Sequence, residues 1–412
     1  MVYTYCIIKK PIIKQKGLNM NNITFSNRML SVEGSAIREI LELLVDESII
    51  SLAGGNPSKK TFPKQEIAAI TQSAIQSQGD RILQYGETMG WRPLRETIVE
   101  LLKTRGINQP FDNIMITTGS SQGIELATKI FVNSGETILC EDPTFLGALQ
   151  TFKSFGANVI GIEMDEEGIN VIALENEIKK SKPKFLYLIP NFQNPTGKTM
   201  SLKRREAVLE IANKYDLLII EDDPYGELIY DGETVPPIKS LPNSENVIYL
   251  GSFSKTISPG LRVGFVCAGD PIVAKMQIAK QGIDTHTSNL SQAIIDEFYR
   301  QDKYFAHVEG LCKFYKASKD TMLDSIAKYF PENIEHTNPN GGLFLWVSLP
   351  KNINAGELFQ TSVEKKVAFV PGTYFYANGG HDEDLRLNFS MPDPEQIKKG
   401  IEILGNLIKA RL

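Results

Sequence analysis

Lys255 stands in a stretch of the sequence that could carry covalent chemistry. An apolar, strand-like run at residues 247–250 and a turn of small residues at 251–254 precede it, and a second apolar run begins at Val263. A lysine between two buried strands needs partners or a lowered pKa, because burying an unpaired charge costs free energy. An amine held in that way can attack a carbonyl and form a Schiff base. A surface-loop lysine beside a strand is the alternative at this point.

A second candidate for chemistry follows the apolar run at residues 217–220. Three consecutive acids occupy positions 221–223, and Tyr225 comes two residues later. Acids at a buried strand end are expensive unless a cation meets one of them. We predict that Asp222 and Tyr225 point inward, where a carboxylate could hold a protonated ring nitrogen and a phenol could face a ring oxygen. A solvated acidic turn is the alternative.

The elements that must position these residues are apolar runs of strand length that alternate with helical stretches. Their nearly continuous hydrophobicity predicts a mostly parallel sheet covered by helices on both faces, which is an α/β fold. Ligands of such sheets bind beyond the carboxyl ends of the strands, where the polar residues of this chain gather. The predicted strands are 114–118, 137–140, 158–163, 185–189, 217–221, 247–250 and 263–267.

Three more groups of candidate residues follow strand ends. Gly119, Ser120 and Ser121 open a helix, where free N–H groups can bind an anion or a serine can simply cap the helix. Phe145 could lay its ring on a flat ligand or belong to the core. Asn194, in an Asn-Pro-Thr-Gly turn, can donate two hydrogen bonds.

Beyond about residue 290 the alternation stops, and the pattern predicts a smaller α+β domain. Within it Arg386 lies in an alternating strand at 385–389 and could bind a carboxylate with two hydrogen bonds, although a lone strand arginine is more often a surface residue. Near the other end of the chain, the glycines at 54 and 55 allow close approach of the backbone to a ligand or form a plain turn. The predicted organisation is an arm at 1–19, a segment at 20–60 that packs on the small domain, a large domain at 61–300 and a small domain at 301–412.

Composition excludes several classes of function. The chain has 44 basic and 49 acidic residues, a net charge of −5, which argues against nucleic-acid and anionic-membrane partners. No apolar run is long enough to span a bilayer. The four histidines show no metal-ligand spacing, so we predict no metal site. Cys140 and Cys267 lie in apolar strand runs and are expected to be buried free thiols of a cytoplasmic protein.

The first nineteen residues are basic and lack a core pattern. We expect them to be a loose arm or to precede a natural start at Met20. Organellar targeting is the alternative for this segment.

Ten short stretches, in order, resemble the fold-type I aminotransferases that use pyridoxal 5′-phosphate, and within them the aminoadipate and kynurenine aminotransferases. They cover the chain from about Arg28 to its end. The resemblance implies the aspartate aminotransferase-like fold, here with a seven-stranded sheet. The stretches are SLAGGNP, LQYGETMGWRPLRE, TTGSSQG, DPTF, NFQNPTG, EDDPYGEL, GSFSKTISPGLRVG, PNGGLFLW, PGTYF and LRLNFS.

The resemblance also implies roles around pyridoxal 5′-phosphate. Lys255 would carry the cofactor as a Schiff base and then move the proton between the substrate α-carbon and the cofactor. Asp222 would keep the ring nitrogen protonated, while Asn194 and Tyr225 would bind the phenolic oxygen. Phe145 would stack on the ring. The residues implied to hold the phosphate, with Gly119 leaving room for it, are Ser120, Ser121, Ser252, Ser254 and Arg262.

Substrate and partner contacts are implied in the same way. Arg386 would clamp the substrate α-carboxylate and Gly55 would lie against the substrate. Arg28 belongs to a segment that often contacts the donor side chain in this subgroup. Tyr85 would reach the phosphate of a partner subunit, which predicts a homodimer with shared active sites. Two departures are clear, because many relatives have glutamine where Ser121 stands and tyrosine where Phe145 stands, so any hydrogen bond of that tyrosine hydroxyl is lost.

We therefore expect an aminotransferase that moves the amino group of an L-amino acid to a 2-oxo acid, with 2-oxoglutarate as the acceptor. A carbon–sulfur lyase or decarboxylase on the same fold would share Lys255 and Asp222, and is the first alternative. A transcription regulator with an aminotransferase-like domain is the remote alternative, since only about fifty residues precede the cofactor domain and the chain is acidic.

Overall fold

The computed structural model of the protein describes residues 25–30, 46 and 48–412. Its strands are β1 (Ile50–Ser51), β2 (Ile114–Thr117), β3 (Thr137–Asp142), β4 (Asn158–Asp165), β5 (Gly168–Ile169), β6 (Phe185–Leu188), β7 (Leu218–Asp223), β8 (Val247–Ser252), β9 (Gly264–Cys267), β10 (Glu335–His336), β11 (Phe344–Ser348), β12 (Val367–Ala368), β13 (Val370–Pro371) and β14 (Asp384–Asn388).

Helices cover both faces of the central strands. In chain order they are α1 (Asn27–Leu30), α2 (Lys64–Ile82), α3 (Arg92–Thr104), α4 (Ser120–Phe131), α5 (Leu146–Ser154), α6 (Val171–Ser181), α7 (Leu202–Lys214), α8 (Asp270–Gln281), α9 (Asn289–Arg300), α10 (Lys303–Tyr329), α11 (Ala355–Glu364) and α12 (Pro394–Lys409).

The central sheet has the strand order β2-β9-β8-β7-β6-β3-β4-β5. The pairs from β8 through β4 are parallel, whereas β9 runs antiparallel to both of its neighbours. The predicted mostly parallel α/β sheet is confirmed, with eight strands in place of seven. The additional strand, β5, is two residues long and folds back antiparallel on β4, so it is too short to leave a hydrophobic pattern in the sequence.

The apolar runs became strands because both faces of the sheet are covered. Every residue of β2, β6 and β9 is buried. Helix α3 shows how the cover is built, since it buries Leu94, Ile98 and Leu101 on one side, a spacing that a helix places on a single face. Burial of this kind supplies about 25 cal/mol for each Å² of apolar surface removed from water.

The register of the strands brings distant residues to one edge of the sheet. Asp222 on β7 lies beside Leu250 on β8. Gly264 on β9 lies opposite both Thr117 on β2 and Ser252 on β8. The carboxyl ends of β2, β7 and β8 therefore meet at the same edge, where ligands bind in α/β sheets.

The C-terminal part of the chain forms a four-stranded antiparallel sheet in the order β10-β11-β14-β13. Ile50 in β1 pairs in parallel with Val367 in β12, so the segment around residue 50 packs on this part of the chain. Helix α12 begins with a capping box formed by Asp393 and Gln396. The division into domains stays a prediction, and the expected arm at 1–19 lies outside the described residues.

Cys140 and Cys267 are buried free thiols, as predicted. In the part of the chain that the structure describes, no helix combines the length and the apolar composition that a membrane crossing requires.

Candidate active site

Lys255 lies in the turn that follows β8, with its side chain partly buried. Its Nζ donates a hydrogen bond of 2.7 Å to the main-chain oxygen of Gly55. Burial, together with the nearby cations Arg386 and Arg262, lowers the pKa of Lys255 to about 8. A substantial fraction of the amine is therefore uncharged near neutral pH and can act as a nucleophile.

Asp222 ends inside the same cluster, near the carboxyl end of β7, and is 2% exposed. Its Oδ2 accepts a hydrogen bond of 2.8 Å from the hydroxyl of Tyr187. Its Oδ1 is buried and makes no hydrogen bond of standard geometry to a described residue, while the nearby Ser120 hydroxyl helps to lower the pKa of the carboxyl group. Burial raises the pKa of Asp222 to about 7, and the hydrogen bond from Tyr187 acts in the opposite direction. The unpaired oxygen of this carboxylate can accept a hydrogen bond from an N–H or O–H group of a ligand.

The two neighbouring acids are engaged elsewhere. Glu221 accepts hydrogen bonds of 2.8 Å from the main-chain N–H groups of Ile238 and Lys239. Asp223 forms a buried ion pair with Arg105, whose Nη2 lies 2.7 Å from Oδ2. Arg105 is thus the cation that three acids at a strand end require, and Asp222 is left for the site.

Arg386 projects from β14 into the cluster and is almost completely buried. Its Nη1 donates to Asn194 Oδ1 at 2.8 Å, and its Nη2 donates to the carbonyl of Ala53 at 2.7 Å. Burial lowers its pKa to about 10, so the guanidinium is charged at neutral pH. Within residues 48–412 its buried Nε lacks an acceptor, which leaves one N–H group for an anion.

Aromatic rings line the space between these charges. The guanidinium carbon of Arg386 lies 4.2 Å from the ring centre of Phe344. Tyr225 meets Phe344 edge to face at 5.7 Å, and Lys255 Nζ lies 6.0 Å from the centre of the Tyr225 ring. Burial raises the pKa of Tyr225, while Arg386 and the nearby Asn194 lower it. The phenol is therefore held protonated, as a hydrogen-bond donor.

An anion cradle lies next to Asp222, at the start of α4. Gly119 precedes the helix with φ +80°, and no described side chain caps the helix N-terminus, so main-chain N–H groups remain available. A Cβ on Gly119 would lie 2.4 Å from Arg262 Nη2, so a side chain at this position would displace the guanidinium group. Arg262 is held by a hydrogen bond of 3.1 Å to the Thr118 carbonyl. Across β9 from this loop, the hydroxyls of Ser252 and Ser254 lie 3.0 Å apart.

The structure brings most of the predicted site residues together, but places three of them at the surface of this chain. Tyr85 is 83% exposed and its ring lies edge-on to His286 at 6.1 Å. The side chain of Ser121 is exposed, and Arg28 is exposed on α1. Phe145 immediately precedes α5 and is partly buried, and Thr144 beside it donates its N–H to the carbonyl of Phe375 at 2.8 Å.

Sequence reasoning missed two residues of the cluster. Phe344 touches Arg386 and Tyr225, and its ring is what a Cβ on Gly55 would meet at 3.0 Å. The signal was an aromatic residue just after the glycine pair of PNGGLFLW. Tyr187 is the other, and its signal was a lone phenol inside the apolar run FLYLI.

Comparisons with known proteins show the family of the chain. The family model described as aminotransferase class I and II matches residues 47–404. Aromatic-amino-acid aminotransferase 1 of Thermococcus litoralis is 40% identical over 395 residues, 94% of each chain. A solved kynurenine aminotransferase of Pyrococcus horikoshii, in complex with PMP, superposes with a TM-score of 0.90 at 42% identity, over 94% of this chain and 97% of that one. The α-aminoadipate aminotransferase LysN of Thermus thermophilus, solved with N-(5′-phosphopyridoxyl)-L-leucine, has a TM-score of 0.88 at 37% identity over 94% and 97%.

Proposed function

Because the chain belongs to the class I and II aminotransferase family, and is an aminotransferase that depends on pyridoxal 5′-phosphate, we propose that the cluster around Lys255 and Asp222 is its active site. The observation that carries this proposal is the meeting of three incomplete groups in one buried space. They are an amine of lowered pKa, a carboxylate oxygen without a described partner and an arginine N–H without a described acceptor.

The residues present fit the cofactor. Asp222 Oδ1, which makes no hydrogen bond of standard geometry to a described residue, is suited to bind a protonated ring nitrogen. The start of α4, with Gly119 leaving room for Arg262, suits a phosphate. When bound, pyridoxal phosphate supplies an electron sink that allows a proton to leave the substrate α-carbon. The residues that we propose to hold its phosphate are Ser120, Ser121, Ser252, Ser254 and Arg262, with Phe145 against the ring.

Lys255 has two tasks in the proposed reaction. Its Nζ would hold the cofactor through the carbonyl carbon of that group. With the substrate in the site, the same amine would take the proton from the substrate α-carbon and later return it. A pKa of about 8 suits both tasks, since a general base works best when its pKa lies near the operating pH.

Asp222, Asn194 and Tyr225 orient the ring. With the cofactor bound, Asp222 would hold a proton at the ring nitrogen, because a buried carboxylate needs a cation or a donor at its second oxygen. Tyr225 and Asn194 direct their donors at the phenolic oxygen, which supports the charge that develops in the ring.

Arg386 binds the substrate α-carboxylate in this proposal. Asn194 and the Ala53 carbonyl fix its guanidinium, and Phe344 packs against its face. A planar arginine fixed in this way recognises a carboxylate with directed N–H groups. Gly55 would contact the substrate, since its carbonyl already accepts from Lys255.

The proposed donor follows from the names of the relatives. Those names specify aromatic amino acids, kynurenine and α-aminoadipate, so we propose an aromatic or aminoadipate-like L-amino acid as donor. We propose 2-oxoglutarate as acceptor from the family resemblance. Arg28 remains our candidate contact for the donor side chain. These three relatives are aminotransferases by name, and each matches 94% of this chain. A lyase, a decarboxylase or a regulator is therefore not favoured.

We further propose a cytoplasmic homodimer with shared sites, in which Tyr85 reaches the phosphate bound by the partner subunit. The 83% exposure of Tyr85 supports this proposal, because a large aromatic side chain at the surface is suited to an interface.

The test is the visible absorbance of the purified protein loaded with pyridoxal phosphate. A yellow band that bleaches with some L-amino acids and returns with 2-oxoglutarate is the expected result, and it ranks the donors. Release of ammonia or carbon dioxide in place of a new amino acid would instead indicate a lyase or a decarboxylase. A protein that stays colourless with added cofactor would overturn the proposal.

A further inference from the structure

Tyr187 is a buried phenol that the proposed reaction does not use. It lies in β6, beside Ile220 of β7, and is completely buried. Its ring packs edge-on against Phe152, with ring centres 5.5 Å apart. Its hydroxyl donates to Asp222 Oδ2 at 2.8 Å. A polar group placed so deep in an apolar strand needs a partner, and Asp222 provides it.

This hydrogen bond divides the two oxygens of Asp222 between two tasks. Oδ2 is occupied by Tyr187, so the carboxylate cannot rotate without breaking a buried hydrogen bond. Oδ1 is the oxygen to which the described residues make no hydrogen bond of standard geometry, although the Ser120 hydroxyl, at the start of α4, also helps to lower the pKa of this carboxyl group. The phenol therefore both fixes the carboxylate plane and favours its ionised form, which burial disfavours.

We propose that Tyr187 is a positioning residue that holds Asp222 ionised and turns its second oxygen toward the ring nitrogen of the cofactor. This inference rests on the proposed function, in which Asp222 binds that nitrogen. Tyr187 touches neither cofactor nor substrate and acts through Asp222 alone.

A matched control exists on β8, which pairs with β7 on the side opposite to β6. Tyr249 of β8 is also buried, and its hydroxyl donates to Asp223 Oδ2 at 2.9 Å. Replacing either tyrosine by phenylalanine removes one hydroxyl from one aspartate of β7. The two variants remove a donor from different aspartates, and Tyr249→Phe also removes the acceptor of a 3.1 Å hydrogen bond from Arg105 Nη1.

The experiment measures two properties of the cofactor-loaded protein, the dissociation constant of pyridoxal phosphate and the pH midpoint of its visible absorbance. The variants are Tyr187→Phe, Tyr249→Phe, Asp222→Asn and the double variant Tyr187→Phe/Asp222→Asn. We expect Tyr187→Phe to weaken cofactor binding about tenfold, since a hydrogen bond to a charged group is lost. Its pH midpoint should move in the same direction as that of Asp222→Asn, by a smaller amount. Tyr249→Phe should leave the dissociation constant within about twofold of the parent value and should not move the pH midpoint.

The double variant separates positioning from packing. If Tyr187 acts through the charge of Asp222, then Tyr187→Phe has no further effect on affinity or midpoint once Asp222 is asparagine. An undiminished effect in that background would mean a packing role and would overturn the inference. So would a Tyr187→Phe protein that behaves like Tyr249→Phe.

Two further outcomes are defined. If Asp222→Asn itself changes neither property, the proposed role of Asp222 fails, and the inference about Tyr187 fails with it. If Tyr187→Phe does not fold, 3-fluorotyrosine at position 187 supplies a more acidic phenol of similar size. It should move the midpoint opposite to Asp222→Asn, and an unchanged midpoint would overturn the inference.

Discussion

Two consecutive aspartates on β7 have opposite surroundings. Asp223 is met by Arg105 at 2.7 Å, by the hydroxyl of Tyr249 at 2.9 Å and by the side-chain amide of Asn191 at 3.0 Å. Asp222 accepts one hydrogen bond from Tyr187, and its other oxygen meets no donor in the described part of the chain. Both are buried, so the difference lies in how completely each charge is compensated. A buried carboxylate whose oxygens are all paired belongs to the structure of the fold. A buried carboxylate with an unpaired oxygen is a candidate to bind a ligand.

The buried lysines repeat this contrast. Lys280 donates to Gln122 at 2.7 Å and to the carboxylate of Asp284 at 2.8 Å, which gives it a counter-ion. Lys255 donates to a main-chain carbonyl, and the charged residues that shift its pKa are two arginines. The residue proposed to be reactive is again the one whose charge its surroundings oppose.

The largest expected effect contrasts the two lysines. Lys255→Ala should lower turnover by about 10⁴-fold, because it removes the general base, while leaving the melting temperature nearly unchanged. Lys280→Met should act in the opposite way, costing about 3 kcal/mol of stability by leaving Asp284 without its cation. Single-turnover kinetics and thermal melts of both variants provide the check. Unchanged turnover in Lys255→Ala would refute the proposed mechanism.

The aspartates give the next largest effect. Asp222→Asn should reduce turnover about 10²- to 10³-fold, since one group that stabilises developing charge is lost. Asp223→Asn should leave turnover per folded molecule nearly intact but destabilise the protein by about 3–5 kcal/mol, because Arg105 is left buried without its counter-ion. Urea unfolding of both variants, with turnover measured on the folded fraction, tests this. Equal losses of turnover would remove the distinction between the two acids.

The pH response of Lys255 sharpens the lysine comparison. With a pKa of about 8, the amine of the cofactor-free protein should capture pyridoxal phosphate at a rate that rises with pH to a midpoint near pH 8. Arg386→Met removes a neighbouring positive charge. This removal favours the ammonium form of Lys255, so the midpoint should move up by about 1 pH unit. Arg92→Met, which removes an exposed arginine paired with Glu96, serves as the control. A midpoint that Arg386→Met does not move would contradict the arginine contribution.

The sequence indicated the charged members of the proposed site better than it indicated their hydrogen-bond partners. Lys255, Asp222 and Arg386 could be found because each is a charge at or inside an apolar run. Their partners lie far away in the chain, with Gly55 separated from Lys255 by 200 residues. Such pairs depend on strand order and register, which local patterns do not encode. For the same reason the sequence did not distinguish Tyr187 from its apolar neighbours, because its partner Asp222 lies on another strand.

Other features could not be predicted, or stay predictions, for different physical reasons. The two-residue strand β5 is too short to show a period, and its pairing with β4 depends on the turn between them. Phe344 is a site residue because Arg386 and Tyr225 both pack on it, a contact among three separate elements. The roles of Tyr85 and Arg28 remain predictions because they concern a partner subunit and a donor side chain.

The smallest expected effect concerns the stability of the cofactor-free protein. Burial raises the pKa of Asp222 from 3.8 to about 7, so between these values the folded state binds its proton more tightly than the unfolded state does. The stability that Asp222 contributes is therefore fully present below about pH 4 and is lost as the pH rises through 7. At pH 8 Asp222→Asn should stabilise the cofactor-free protein by about 1–4 kcal/mol, where the upper figure corresponds to the whole pKa shift, because it removes a buried charge while Tyr187 keeps an acceptor.

Urea midpoints of the cofactor-free proteins at pH 8 and pH 4 measure this effect. The advantage of Asp222→Asn should vanish at pH 4, where the aspartate of the parent protein is protonated. Loading both proteins with cofactor should reverse the order, since only the charged carboxylate pairs with a protonated ring nitrogen. Asp223→Asn should be destabilised at pH 8 with or without cofactor, because Arg105 loses its counter-ion in either state. If Asp222→Asn were also destabilised in the cofactor-free protein at pH 8, Asp222 would be a structural acid like its neighbour.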